Sequence, residues 1–200
     1  MSPTSVPKSV NFNDAATGVK ATFKQNKDLS STVDEVLKAQ GVSWIARNAI
    51  KLAPVTVNLN FFTSSDQLLH LDVEQLLPAG AKSEEPRILD GTIRTRVSSV
   101  FGPVLASSKL ITLDEAAAIS PFLANGWEPD SQLIYAYAKG DTSKSNGYEW
   151  ESFQVFGFAD LEVDEGMTER KYVVRLFFKS PSLKEPVEKR LVYDFHSLST

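Results

Sequence analysis

The feature that most limits what this chain can fold into is a change of hydrophobic period at Pro54. Before it, apolar residues recur at helical spacing; after it, they alternate one by one. In VTVNLNFF, Val55, Val57, Leu59 and Phe61 alternate with polar partners, and in LLHLDVEQLL, Leu69, Leu71 and Val73 alternate with His70, Asp72 and Glu74. Alternation of this kind predicts strands with one buried face. PAGAKSEEP reads as a loop. RILDGTIRTRVSSVFG is strand-like but interrupted by Asp90-Gly91, a hairpin signal or a bulge within one long strand. PVLASSKLIT is a further strand. LDEAAAISPF breaks the pattern, with Asp114 placed to cap a short helix ending before Pro121. SQLIYAYA, WESFQVFGFADLEV, ERKYVVRLFFK and EKRLVYDF resume strand character, separated by KGDTSKSNG, DEG and SPSLKEP. The total is roughly nine or ten strands at hairpin spacing, which predicts a mainly β chain closed into an antiparallel up-and-down β-barrel rather than βαβ units.

Upstream of Pro54, residues 1–18 are rich in Ser, Thr, Asn and Pro without a period and read as a flexible tail. A single domain over residues 19–200 follows. Val19–Lys24 alternates weakly as a first strand. Ser31 with Asp34, or Thr32 with Glu35, gives a capping-box-like start to a helix carrying Val33, Val36 and Leu37, and Gly41 is placed to stop it. A second helix carries Ile45, Ala46, Ala49 and Ile50 on one stripe, and Pro54 closes it. The barrel is therefore expected to bear a short N-terminal helix-turn-helix cap.

Composition narrows the function classes. A net charge of −4 with scattered Lys and Arg gives no basic face for nucleic acid and no polybasic anchor. No apolar run approaches a membrane-spanning length, and the opening MSPTSVPKSVNFNDAATG has no secretory core, so no membrane insertion and a cytoplasmic location are expected. There is no Cys, and the two histidines, His70 and His196, lie far apart, so no metal site is expected. Dinucleotide fingerprint, P-loop and nucleophile elbow are all missing, and no cofactor is expected. Twelve Phe, five Tyr and three Trp suit strands and the walls of an apolar cavity.

Phe23 to Thr56 resembles the intracellular lipid-binding (fatty-acid-binding) proteins of the calycin group. The resemblance rests on a strand FK, the helix VDEVLKAQ, then GVSWIARNAIKLAP and another strand, with Leu37, Gly41, Val42, Ala46, Arg47 and Pro54 at the matching places. The ending RLVYDF is similar to that family's last strand, which carries an Arg and a Tyr. The tracts QGVSWIARNAI, EEPRILDG and QVFGF also resemble lipocalin-like proteins of fungi, some of which act in natural-product pathways as cyclisation catalysts. These resemblances imply a calycin or lipocalin-like barrel capped by a helical portal. They imply a small hydrophobic ligand or substrate (a lipid, terpenoid or polyketide) as its partner. One departure is visible: Arg190 and Tyr193 are separated by two residues, so on a strand they face opposite sides unless a bulge intervenes.

Two roles fit this reading, with oligomeric state left open. The first is a module that binds a small hydrophobic molecule in the barrel interior. The second is a cofactor-free enzyme of specialised metabolism, a cyclase, pericyclase or isomerase. Candidate catalytic residues are His70, Asp72, Arg94 and Gln154; candidate ligand-binding residues are Trp44, Arg94, Arg96, Tyr135, Tyr137, Trp150, Gln154, Phe156, Arg175 and Tyr193. Trp44 either pins the helical cap or touches ligand at the portal. His70, Asp72 and Glu74 share one strand face, which is either a solvated outer face or a polar lumen where His70 or Asp72 moves a proton. Arg94 and Arg96 share a face of TIRTRV and are either surface ion pairs or inward holders of a carboxylate, enolate or ketone oxygen. Tyr135 and Tyr137 share one face; Trp150, Gln154, Phe156 and Phe158 share a face of the next strand, opposite Phe153 and Val155. Gln154 and Arg175 are polar groups amid apolar neighbours, costly to bury without a partner.

Overall fold

A computed structural model of the chain describes residues 4–13, 18–77, 80, 82–98, 100–143 and 148–199. In chain order the elements are β1 (Val19–Asn26), α1 (Asp34–Ala39), α2 (Trp44–Leu52), β2 (Thr56–Thr63), β3 (Leu69–Leu76), β4 (Lys82–Ile88), β5 (Arg94–Ser98), β6 (Gly102–Ile111), α3 (Leu113–Ile119), α4 (Pro121–Ala124), β7 (Leu133–Gly140), β8 (Glu151–Asp164), β9 (Met167–Lys179) and β10 (Val187–Leu198). The strands form one sheet in the order β4-β3-β2-β1-β10-β9-β8-β7-β6-β5. All neighbours are antiparallel, and β1 pairs with β10, so the first and last strands lie side by side. The result is the up-and-down, nearly closed barrel expected from the alternation. No helix among the described residues is long and apolar enough to cross a membrane.

Which face is inside follows from the register. Phe23 stands opposite Val57, Leu59 opposite Val73, Phe61 opposite Leu71, and Phe158 opposite Tyr172. All eight are buried in one core cluster. Because strand side chains alternate, fixing these on the inside sends the intervening residues outside. The outer face is not all solvent. Ile111, Ala116, Leu123, Leu133 and Val155 form a second apolar layer where α3 and α4 cover the outside of the sheet, joined by Phe122, Trp127, Tyr135, Phe153 and Phe177. Gly157 makes this possible: a Cβ there would stand 2.6 Å from Leu133 and 3.0 Å from Trp127.

Several local expectations are corrected. Residues 4–13 do not hang loose: Val6, Val10 and Phe12 are all but fully buried in the core. Backbone bonds from Val6 to Arg170 and from Phe195 to Thr4 tie the segment across one end of the barrel. Three widely spaced apolar residues in a polar stretch have no period, so their burial was not legible locally; positions 1–3 and 14–17 of the expected tail lie outside the described residues. Lys82 to Pro86, read as loop, belong to β4, where backbone pairing with β3 outweighs the polar composition. Asp90-Gly91 makes neither a hairpin nor a bulge. Gly91 takes a left-handed φ of +74°, but β5 then pairs with β6 rather than folding back on β4. β4 and β5 are thus the two edges of the sheet, joined by a bridge from Asp90 to Lys109 and by Arg87 reaching Ser108 on β6.

Helix starts also differ. The N-cap of α1 is Val33, without a side-chain hydrogen bond; Ser31 is instead bound to β10, its hydroxyl accepting from Arg190 N–H. Thr112 rather than Asp114 caps α3, in a reciprocal capping box with Glu115. Gly41, at φ +82°, does follow the end of α1.

Candidate functional site

The barrel encloses a cavity of about 590 Å³, within the range of sites that hold drug-sized molecules. Its walls are mainly apolar, from Val57, Val73, Ala136, Phe156, Val174 and Leu176. Val36 and Leu37 of α1, Gln40 just after it, Ile50 of α2, Val97 and Ser98 of β5, and Val100 and Phe101 between β5 and β6 border it on the side of the helical pair. Against these walls stands a compact polar group made by Glu85 and Arg87 of β4, Arg96 of β5, Tyr172 of β9 and Tyr193 of β10.

Strand pairing explains how these side chains meet. Glu85 and Arg87 are two apart on β4, so both point inward, opposite Val73 and Leu71. Arg87 is buried; its guanidinium forms an ion pair with Glu85, bonds Ser108 Oγ at 3.4 Å across the sheet edge, and lies 5.3 Å from the centre of the Phe156 ring. Its Nε is buried without a hydrogen-bond partner, as is Gln25 Oε1 on the same cavity. The rings of Tyr172 and Tyr193 are 5.4 Å apart. Neither phenol has a hydrogen bond among the described residues, and burial pushes both hydroxyls well above the ordinary tyrosine range. They are neutral O–H donors at any physiological pH. Burial lowers the Arg96 pKa, helped by the positive charge of Arg87.

Of the sequence-derived candidates, the fold brings Arg96, Trp150, Gln154, Phe156 and Tyr193 together on the cavity. Gln154 finds its partner locally, donating to Ser152 Oγ at 3.0 Å. Tyr193 faces inward, whereas Arg190 donates to the Leu29 carbonyl; no bulge restores an Arg–Tyr pair on this strand. The other candidates stand elsewhere. His70 and Asp72 lie on the face of β3 opposite to buried Leu71 and Val73, with His70 stacked on Phe62 at 5.0 Å. Burial raises the Asp72 carboxyl, but the side chain does not border the cavity. Arg94 is turned out to Asp90 in a two-pronged ion pair at 2.8 and 2.6 Å. Tyr135 belongs to the outer apolar layer. Tyr137 borders the cavity, but its ring packs on Phe153 and its hydroxyl donates to Glu151 at 2.6 Å. Arg175 is sandwiched outside the barrel between Phe122 and Trp127. Trp44 is 69% exposed and borders a separate, more open hollow beside Arg47 and Tyr148, so it does not pin the cap.

Sequence reasoning missed Glu85, Arg87, Gln25 and Tyr172. Glu85 falls in the stretch read as loop and Arg87 opens the one read as strand-like, and once both stand on β4, the alternation Ser83, Glu85, Arg87 looks like a solvated face. Tyr172 was legible as part of a strand, but not which face it lined.

No protein-family model matches the chain. Among curated proteins it is similar to a probable pericyclase, scpY, of Mollisia scopiformis, 26% identical over 161 residues that cover 80% of this chain and 81% of that protein. The likeness extends over most of both chains, and so includes the barrel. The activity in that protein's name agrees with one of the two roles drawn from the sequence.

Proposed function

We propose that the barrel encloses a small hydrophobic intermediate of specialised metabolism and promotes its cyclisation or rearrangement without a cofactor. The observation that carries this reading is the mainly apolar cavity with one small group of polar side chains, Glu85, Arg87, Arg96, Tyr172 and Tyr193, on its wall. An extended flexible molecule loses many conformers when it enters such a space, and the walls select a folded one in which reacting carbons approach. That removal of conformational freedom is itself catalytic for a unimolecular ring closure. Arginine and neutral phenol donors near a carbonyl would stabilise the charge that gathers on its oxygen in the transition state. Neither effect needs a metal, nucleotide or activated nucleophile. The similarity to a pericyclase supports this reading over that of a carrier.

The test begins with native mass spectrometry of freshly purified protein and extraction of whatever it holds. The open-chain precursor of the released compound is then incubated with and without protein. Ring closure faster than the spontaneous rate, and slowed by Y172F or Y193F, is the expected result. A released lipid that the protein neither alters nor accelerates toward product would identify a carrier instead.

A further inference from the structure

We propose that the molecule this cavity takes carries one anionic oxygen group, a carboxylate or an enolate, lodged between Arg87 and Arg96. The inference rests on the reading of the cavity as a binding chamber and deepens it. It starts from a charge imbalance. Two guanidiniums, Arg87 and Arg96, border the cavity, and Glu85 is their partly buried counter-charge there; Glu84 also borders it but is exposed. Glu85 pairs with Arg87. Arg96 has neither an ion pair nor a hydrogen bond among the described residues, and it feels Arg87 and Arg94 as like charges. Glu85 attracts it more than Arg94 repels it, and Asp72 attracts it less, but neither carboxylate is in ion-pair contact with it.

A guanidinium taken partly out of water without a partner is costly. Stable folds remove such a cost by pairing, and the neighbouring Arg94 is paired in that way with Asp90. Arg96 extends from the same inward face of β5, opposite Val104, itself a cavity residue. Arg96 borders the cavity, so an anionic group of a ligand reaches it from there. Arg87 adds a second reason: its Nε–H is buried, donor-only and unpaired, while its other nitrogens are held by Glu85 and Ser108. One anionic oxygen group reaching both arginines answers both deficits, with a slight turn of the Arg87 guanidinium bringing its free N–H to the ligand. The apolar remainder of the molecule then lies along Phe156, Val174 and Leu176. This anchor is on the β4–β5 side of the barrel, away from the Arg190 side chain, which faces out.

The experiment uses two fluorescent probes with the same aromatic body, the anionic anilinonaphthalene sulfonate and the neutral phenylnaphthylamine, on the full chain, R96M and R87M. The expected result is binding of both by the unaltered protein, with the sulfonate tighter. Each variant lowers sulfonate affinity about tenfold more than that for the neutral amine, as loss of a charge-assisted hydrogen bond predicts. Retained binding of the amine shows that a variant is folded. R96M keeps the test usable even if R87M weakens the sheet edge. Displacement of the sulfonate by dodecanoate identifies a carboxylate, and displacement by the enolate of an acyl-cyclohexanedione identifies an enolate. Binding of the amine with no preference for the sulfonate, a preference that survives both variants, or equal displacement by neutral dodecanol would overturn this inference alone. Failure of both probes to enter would overturn the chamber reading, and the anion site with it.

Discussion

The ring of Phe12 lies 5.0 Å from that of Phe158 at an interplanar angle of 44°, so a residue from the polar N-terminal stretch completes the core at one end of the barrel. Phe61 and Tyr172 complete the nest around it, with ring centres 5.3 and 6.5 Å away. Arg170 fastens the segment from the sheet side, donating to the carbonyls of Pro7 and Val10 and pairing with Glu128 at 2.8 Å.

From this packing, F12A should destabilise the protein by about 3–5 kcal/mol, the cost of emptying a large buried site. It should also lengthen the cavity, because Tyr172 borders both the Phe12 nest and the ligand space. Urea denaturation measures the first effect. The second is read from a series of saturated alcohols of increasing length displacing a neutral probe: the preferred length should increase in F12A.

Lys171 is a buried ammonium held at 2.5 Å by both Glu169 and Asp194. Removing the cation leaves two carboxylates close together in a partly dry site, so K171M should cost about 3–5 kcal/mol. The bond to Lys171 holds the Glu169 carboxyl below its ordinary value. A carboxylate with a depressed folded pKa contributes stability that is complete above its unfolded value and disappears as pH falls through the folded one. Stability should therefore hold from neutral pH down to about pH 5 and decline below about 4.5, and E169Q should flatten that acid limb.

At the alkaline end the sign reverses. Burial pushes Tyr172 and Tyr193 upward, and Tyr135 is pushed up to about 12. Phenols whose folded pKa is raised contribute stability that is complete below the unfolded value near 10 and is lost as pH rises above it. Ultraviolet titration should show these tyrosines un-ionised at about pH 10.5, followed by cooperative release on unfolding. Y172F with Y193F should make stability less steeply dependent on pH above about 10.

Arg175 gives a prediction of opposite character. It is buried on the outer side of the sheet, stacked over Phe122 at 4.9 Å and Trp127 at 5.6 Å, with an unpartnered Nε and with Arg190 as a like charge nearby. Replacing even a buried ion pair with apolar side chains of similar volume is often neutral or stabilising by about 1–4 kcal/mol, and Arg175 has only the attraction of Glu188 to lose, with no ion-pair contact. R175M should therefore leave Tm unchanged or raise it, and probe affinity should stay the same because Arg175 does not border the cavity. R175A should lower Tm by leaving Phe122 and Trp127 without their shared filler.

The alternation after Pro54 determined the β-barrel by itself, because a period of two can bury one face only in a sheet. Helical spacing before Pro54 placed the helical pair, and alternation aligned Trp150, Gln154 and Phe156 on one face of the strand that became β8. Which side was inward could not be read there: both faces of β8 are apolar, one toward the cavity and the other beneath α3 and α4. The folding-in of Val6, Val10 and Phe12, the strand identity of Glu85, and the separation of Arg96 from Arg94 were decided by tertiary structure alone. Each depends on a partner more than ten residues away in sequence or on a turned side chain: Phe158 for Phe12, β3 for β4, and Asp90 drawing Arg94 out while Arg96 stays at the cavity. Local sequence fixes period and propensity, whereas contacts distant in the chain decide which polar groups lose water, and this barrel's candidate chemistry rests on those groups.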